Sequence, residues 1–159
     1  MMDQIYSSED GAWSVLIRDE VIARILNLTT ASRRHETGGI LIGRYEDDGR
    51  LAVIEIATDR PRGSIFSAFT FGRGSKDLAR RLEEEWRLGR HYLGEWHSHP
   101  GGSSEPSNRD RETMMGIAGN SKYDCSAPVL LIMGEDRDKA PDWSVNVFPA
   151  GTYGYALRR

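Results

Sequence analysis

Residues 94 to 113, GEWHSHPGGSSEPSNRDRET, hold two histidines one residue apart, a carboxylate at Asp110, and a loop of glycine, serine and proline between them. Alternate residues of a β-strand face the same way, so His97 and His99 project together if this segment is extended, with Ser98 opposite. Two neutral imidazoles on one face can bind a single zinc ion, each at about 2.0–2.1 Å. Pro100 and Gly101 end the strand, and GGSSEP supplies a polar return loop. Asp110, eleven positions past His99, can then fold back as a third ligand. Two histidines and one carboxylate leave a fourth tetrahedral position for water, which marks a catalytic rather than a structural site.

Each part also has a plainer reading. Polar alternation on a half-exposed strand produces His-x-His, and Ser107-Asn-Arg-Asp110 is a capping box, in which the serine caps a helix and the acidic residue reaches back. Ser107 could cap the helix while Asp110 points outward to a metal, so the two readings partly coexist. What separates them is the conjunction of HSHP, seven residues from Pro100 to Pro106, and then S-x-x-D. A further carboxylate, Glu36, lies 61 residues upstream of His97 in the context ETGGILIG.

With Glu36 included, the pattern resembles the JAMM motif of the JAB/MPN-domain metalloproteases, and no motif position is substituted. The resemblance spans residues 36 to 110, and the order of strands and helices agrees with the family over most of the chain. It implies a single JAB/MPN domain over residues 1–159, of α/β class, with a mixed curved β-sheet flanked by helices. His97, His99 and Asp110 would hold Zn²⁺, and Glu36 would hydrogen-bond the water that the metal activates. Ser107 would help to stabilise the oxyanion of a tetrahedral intermediate. The chemistry of such roles is general: zinc brings the pKa of a bound water from 15.7 to about 7, and a nearby carboxylate can carry the released proton to a leaving amine.

RHYLGEWHSHP, together with ETGGILIGRY, is most similar to small bacterial members of this family. Several of these resemble deconjugating peptidases encoded beside ubiquitin-activating-like and ubiquitin-conjugating-like enzymes in anti-phage operons. The implied substrate is a ubiquitin-like or other protein whose C-terminal tail is joined to an amine or extended by further residues. Two alternatives are a peptidase that trims a ubiquitin-fold sulfur-carrier protein and a non-catalytic MPN scaffold. The complete motif argues against the scaffold.

Several elements must position these residues. WSVLIR (13 to 18) has the pattern of a short strand leading into a helix capped by Asp19, with Val21, Ile22, Ile25, Leu26 and Leu28 at helical spacing. GGILIGRY and LAVIEIAT are β-branched runs joined at Asp48-Gly49, a hairpin signal. DRPRGSIF (59 to 66) is expected to be a loop, followed by a short strand at Ala68 to Phe71. Leu78, Leu82 and Trp86 would line one face of a second helix ended by Gly89. HYLGEWHSH is a strand, a third helix starts near Ser107, and PVLLIMG and WSVNVF complete the set of strands. Trp86 and Trp96 are expected in the core, and His35 on the surface. His91 has the wrong spacing for the site, and Cys125 is expected to be an inert thiol.

Composition narrows the function classes. A net charge of −3 argues against a nucleic-acid partner, since such domains usually carry a basic excess. The longest apolar run, VLLIM, is far below the roughly 20 residues of a membrane span, and MMDQIYSSEDGAW lacks the pattern of a secretory signal. One cysteine excludes an internal disulfide and suits a reducing compartment, so the cytoplasm is the expected location.

Overall fold

The computed structural model describes residues 2–32, 35–59, 76–135 and 142–159. In chain order these form β1 (Gln4–Ser7), β2 (Ser14–Ile17), α1 (Asp19–Ser32), β3 (Gly38–Glu46), β4 (Leu51–Ala57) and α2 (Lys76–Arg87). Then follow β5 (His91–Pro100), α3 (Asn108–Ala118), β6 (Val129–Glu135), β7 (Asp142–Val147) and β8 (Tyr155–Leu157). The strands make one mixed sheet in the order β1-β2-β4-β3-β5-β6-β7-β8. The β2/β4 and β5/β6 pairs are parallel and the others antiparallel. Parallel neighbours need a crossover, and between β5 and β6 the crossing segment contains α3. The sheet curls until its two edges meet, where the backbones of Ser7 and Arg158 exchange hydrogen bonds of 2.8 and 2.9 Å. No helix among the described residues is long and apolar enough to cross a membrane.

Helices cover both faces, which explains why the central strands are apolar runs rather than alternating ones. Val21, Ile22 and Ile25 of α1 pack with Val15, Leu41, Ile54, Leu93 and Leu131 in one cluster. Met114 and Ile117 of α3 pack with Ile40, Ile42, Leu130, Ile132 and Phe148 in another, with Leu78 and Leu82 of α2 at its margin. The β3 and β4 strands form the expected hairpin, closed by a 3-10 turn at Asp47–Gly49. Gly39 is required where β3 passes Thr58, because a Cβ there would lie 1.9 Å from the Thr58 carbonyl oxygen. That same carbonyl accepts the Trp96 indole N–H at 2.9 Å, and Trp96 is fully buried.

Four details depart from the sequence-based expectations or lie outside them. Trp86 is 66% exposed, and Glu85 is buried in its place, bonded to Arg81 at 3.0 Å and Arg90 at 2.6 Å. At about 100° per residue, positions four apart drift around the helix, so the face begun by Leu78 and Leu82 continues at position 85. Asp19 is the first residue of α1 rather than its cap. Its N–H bonds to Asp3 Oδ1 at 2.9 Å, so a carboxylate sixteen positions upstream satisfies the helix end. Strands β1 and β8 were not foreseen. The strand expected at Ala68 to Phe71 lies outside the described residues.

Candidate metal centre

Strand β5 places Glu95, His97 and His99 on the face that meets α3, and Ser98 on the opposite face. Ser98 is fully buried and grips the start of β3: its hydroxyl accepts the Thr37 N–H at 3.1 Å, and its own N–H bonds to the Thr37 carbonyl at 2.9 Å. This clasp sets the backbone beside Glu36, which is exposed at the mouth of the site. One carboxylate oxygen of Glu36 and ring nitrogens of His97 and His99 lie within 4.8 Å of one another.

Helix α3 brings Asp110 to the same place. Its N-cap is Ser107, whose Oγ accepts the Asp110 N–H at 3.0 Å, while Asp110 Oδ2 accepts the Ser107 N–H at 2.8 Å. The carboxylate that closes this capping box also faces both imidazoles. Asp110 Oδ1 is 3.4 Å from His97 Nε2, and Oδ2 is 3.4 Å from His99 Nε2. The two Nε2 atoms are 3.1 Å apart. One residue thus meets the geometry of the capping role and of the ligand role at once.

These separations can be tested against a metal. Donors about 2.0–2.1 Å from a tetrahedral zinc lie roughly 3.3–3.4 Å from each other. The two Nε2 atoms, 3.1 Å apart, come close to that spacing, and each lies 3.4 Å from a different oxygen of the Asp110 carboxylate; two imidazole nitrogens and a carboxylate form a donor set suited to zinc. His99 Nδ1 lies 2.9 Å from the Ser103 carbonyl, an acceptor that requires the proton on Nδ1 and leaves Nε2 to face the other donors.

The electrostatics favour a standing negative charge. Burial works to raise the Asp110 pKa, but the His97 and His99 rings and the Ser107 N–H together hold its carboxyl well below the usual range. The bond to Asp110 in turn raises His99 above the ordinary histidine value, against burial. Glu95, two residues before His97, was not singled out from the sequence, although strict alternation would have put it on the ligand face. Burial pushes its carboxyl up to about 8, with the Tyr92 hydroxyl at 3.2 Å opposing and the Asp110 charge adding. An extra residue in β5 at its pairing with Leu41/Ile42 brings Tyr92 and Glu95 onto the same side.

The remaining candidates lie elsewhere. His35 is exposed, and His91 opens β5 at its far, exposed end. Cys125 is buried against the Tyr45 hydroxyl at 3.2 Å, and burial pushes its thiol up to about 11. Only a thiolate is a good nucleophile, so this residue is unsuited to attack.

Residues 18–147 match the family of prokaryotic homologs of the JAB domain, a span that contains every residue of the site. The chain belongs to this family. Like other JAB proteins of this kind it is a JAMM-type peptidase. It is 40% identical over 156 residues to the CD-NTase/cGAS isopeptidase of Enterobacter hormaechei subsp. hoffmannii (strain UCI 50), covering 98% of this chain and 87% of that one. It is also similar to a probable metalloprotease of Sinorhizobium fredii (strain NBRC 101917 / NGR234), with 30% identity over 112 residues, 67% of this chain and 68% of the relative. A similar fold is seen in a protein of Desulfitobacterium hafniense solved in solution, with a TM-score of 0.60 at 17% identity, over 88% of this chain and 87% of that one.

Proposed function

We propose that this JAB protein, acting as a single domain over residues 1–159, is a zinc-dependent isopeptidase. Its substrate class is a protein joined through its C-terminal tail to an amine, as in a ubiquitin-like conjugate. The observation that carries the metal reading is the convergence of His97 Nε2, His99 Nε2 and the Asp110 carboxylate, with contacts of 3.1 to 3.4 Å. The Enterobacter relative supports the substrate reading, and from its name we carry over isopeptidase action directed at CD-NTase/cGAS. Such work would place the protein in the cytoplasm, in an anti-phage system with ubiquitin-activating-like and conjugating-like enzymes as partners.

In this reading His97, His99 and Asp110 hold Zn²⁺, which when bound acidifies a water and polarises the carbonyl it faces. Glu36, exposed at the mouth of the site, takes the proton of the attacking water and passes it to the leaving amine. The Ser98 clasp on Thr37 fixes the backbone next to Glu36. The Ser107 hydroxyl, whose oxygen already accepts a backbone N–H, still has its hydrogen to donate to the oxyanion. Water adds directly to the carbonyl carbon, the C–N bond breaks, and no acyl-enzyme forms.

The test combines metal analysis with cleavage of a ubiquitin-like protein attached through its C-terminus to a lysine of a CD-NTase/cGAS-type protein. Expected are stoichiometric zinc and cleavage that stops with a chelator, returns with zinc, and is lost in Glu36→Gln. Cleavage that persists in Glu36→Gln or in chelator would sink the mechanism. Zinc binding unchanged in His97→Ala would remove the proposed ligand set.

A further inference from the structure

The return loop between His99 and Ser107 is held by the strands beside it, and that hold ends on a ring nitrogen of the metal centre. Ser104 is 5% exposed. Its hydroxyl donates to Asp142 Oδ2 at 2.8 Å, and its carbonyl accepts the Ser144 hydroxyl at 2.5 Å. Ser144 Oγ in turn accepts from Asn146 Nδ2 at 3.0 Å, and Asn146 is buried. From β6, Glu135 N bonds to the Gly102 carbonyl at 3.1 Å. The loop passes so close to that strand that a Cβ on Gly134 would lie 2.7 Å from Ser104 N and 3.0 Å from the Ser103 carbonyl carbon. Between these anchored points is the Ser103 carbonyl that faces His99 Nδ1 at 2.9 Å.

We infer that Ser144 of β7 is a positioning residue of the metal centre, holding through Ser104 the Ser103 carbonyl that orients the His99 ring. The inference rests on the proposed role of His99 as a ligand. An imidazole has two distinct nitrogens, and the hydrogen bond made by one decides the proton and direction of the other. Partners of this kind usually come from a side chain or backbone next to the ligand. Here the acceptor sits on a loop, whose backbone would wander unless something fixes it. The fixing group is a serine on a strand two places along the sheet, 45 positions after His99.

The test uses the full chain with zinc alone, and the metal-free chain observed by NMR. Ser144→Ala is expected to weaken zinc binding about tenfold, the low end for loss of an outer partner, while Ser144→Thr, which keeps the hydroxyl, stays near wild type. In the metal-free chain the His99 Nδ1 proton should be protected from solvent exchange in wild type and exchange rapidly in Ser144→Ala. Amides of the β3 core should remain equally protected in both, which a general loss of structure would not allow. Should Ser144→Ala fail to fold, Asp142→Ala at the exposed strand end loosens the same loop and is expected to move both readouts the same way. Zinc affinity within twofold of wild type together with a still-protected His99 proton overturns the inference. If wild type binds no zinc, the proposed metal chemistry fails, and the proton-exchange comparison still decides the role of Ser144.

Discussion

Asp110 closes the capping box of α3 and is the proposed third metal ligand, and substitution can separate the two roles. Asparagine at position 110 keeps an oxygen able to accept the Ser107 N–H, now at 2.8 Å, so the capping box largely survives. The negative charge 3.4 Å from both imidazoles is lost. Ser107→Ala does the reverse, removing the oxygen that accepts the Asp110 N–H at 3.0 Å and leaving the carboxylate. Loss of a serine cap costs about 1 kcal/mol, which in a domain of this size lowers Tm by roughly 2–4 °C. Zinc at 100 times its Kd stabilises a folded protein by about 2.7 kcal/mol, or roughly 5–11 °C on the same scale. If Asp110→Asn weakens binding 100-fold, the same zinc concentration sits at its Kd and contributes only about 0.4 kcal/mol. Thermal unfolding with and without zinc therefore gives two distinct signatures. Ser107→Ala melts lower without metal and keeps most of its zinc-induced rise, whereas Asp110→Asn, which gives up the attraction between its carboxylate and the two imidazoles, also melts lower without metal but gains almost nothing from zinc. An Asp110→Asn protein that retains the full zinc-induced rise would refute the ligand role and leave Asp110 as a helix cap alone.

Glu95 gives a pH test in the metal-free chain. Its folded pKa of about 8 lies above the ordinary 4.5, so the folded state keeps a proton that the unfolded state gives up, and stability falls as pH rises through that window. The loss by pH 8 is on the order of a few kcal/mol. Glu95→Gln should flatten the profile and unfold at higher urea than wild type at pH 8; parallel profiles would reject this account. Gly39→Ala drives a Cβ to 1.9 Å from Thr58 O and is expected to cost more than about 3 kcal/mol, read as a large fall in the urea midpoint. Trp86→Ser, at a position 66% exposed, should change stability by less than about 0.5 kcal/mol, and a larger fall in the same titration would show that the side chain packs after all.

The site was legible because its signals are local and its spacing fixed. Strand alternation put His97 and His99 together, the proline and glycines turned the chain, and a capping box announced the helix that returns Asp110. The central strands were legible for the same reason, as apolar runs bounded by turn residues. What escaped depends on distant contacts. Strands β1 and β8 have four and three residues, and what fixes them is the meeting of Ser7 with Arg158 across the length of the chain. Asp3 caps α1 from another element, a role that nothing near Asp19 reveals. Glu85 took the buried position expected of Trp86 because Arg81 and Arg90 compensate its charge, a pairing that only the packed helix creates. Ser144 stands in an unremarkable WSVNVF run, and its link to His99 passes through two backbone carbonyls that no sequence pattern encodes.

The place of Asp110 in its helix has one more consequence. As the third residue of α3 it lies at the end where the peptide dipoles sum to about half a positive charge. That end mildly disfavours a resting cation, and the carboxylate offsets it. It would favour the negative charge that gathers on a carbonyl oxygen once water has added in the proposed reaction. In the proposed mechanism the orientation of α3 would therefore work toward the rate of reaction rather than toward retention of the metal, because its field would act on a charge present only in the transition state.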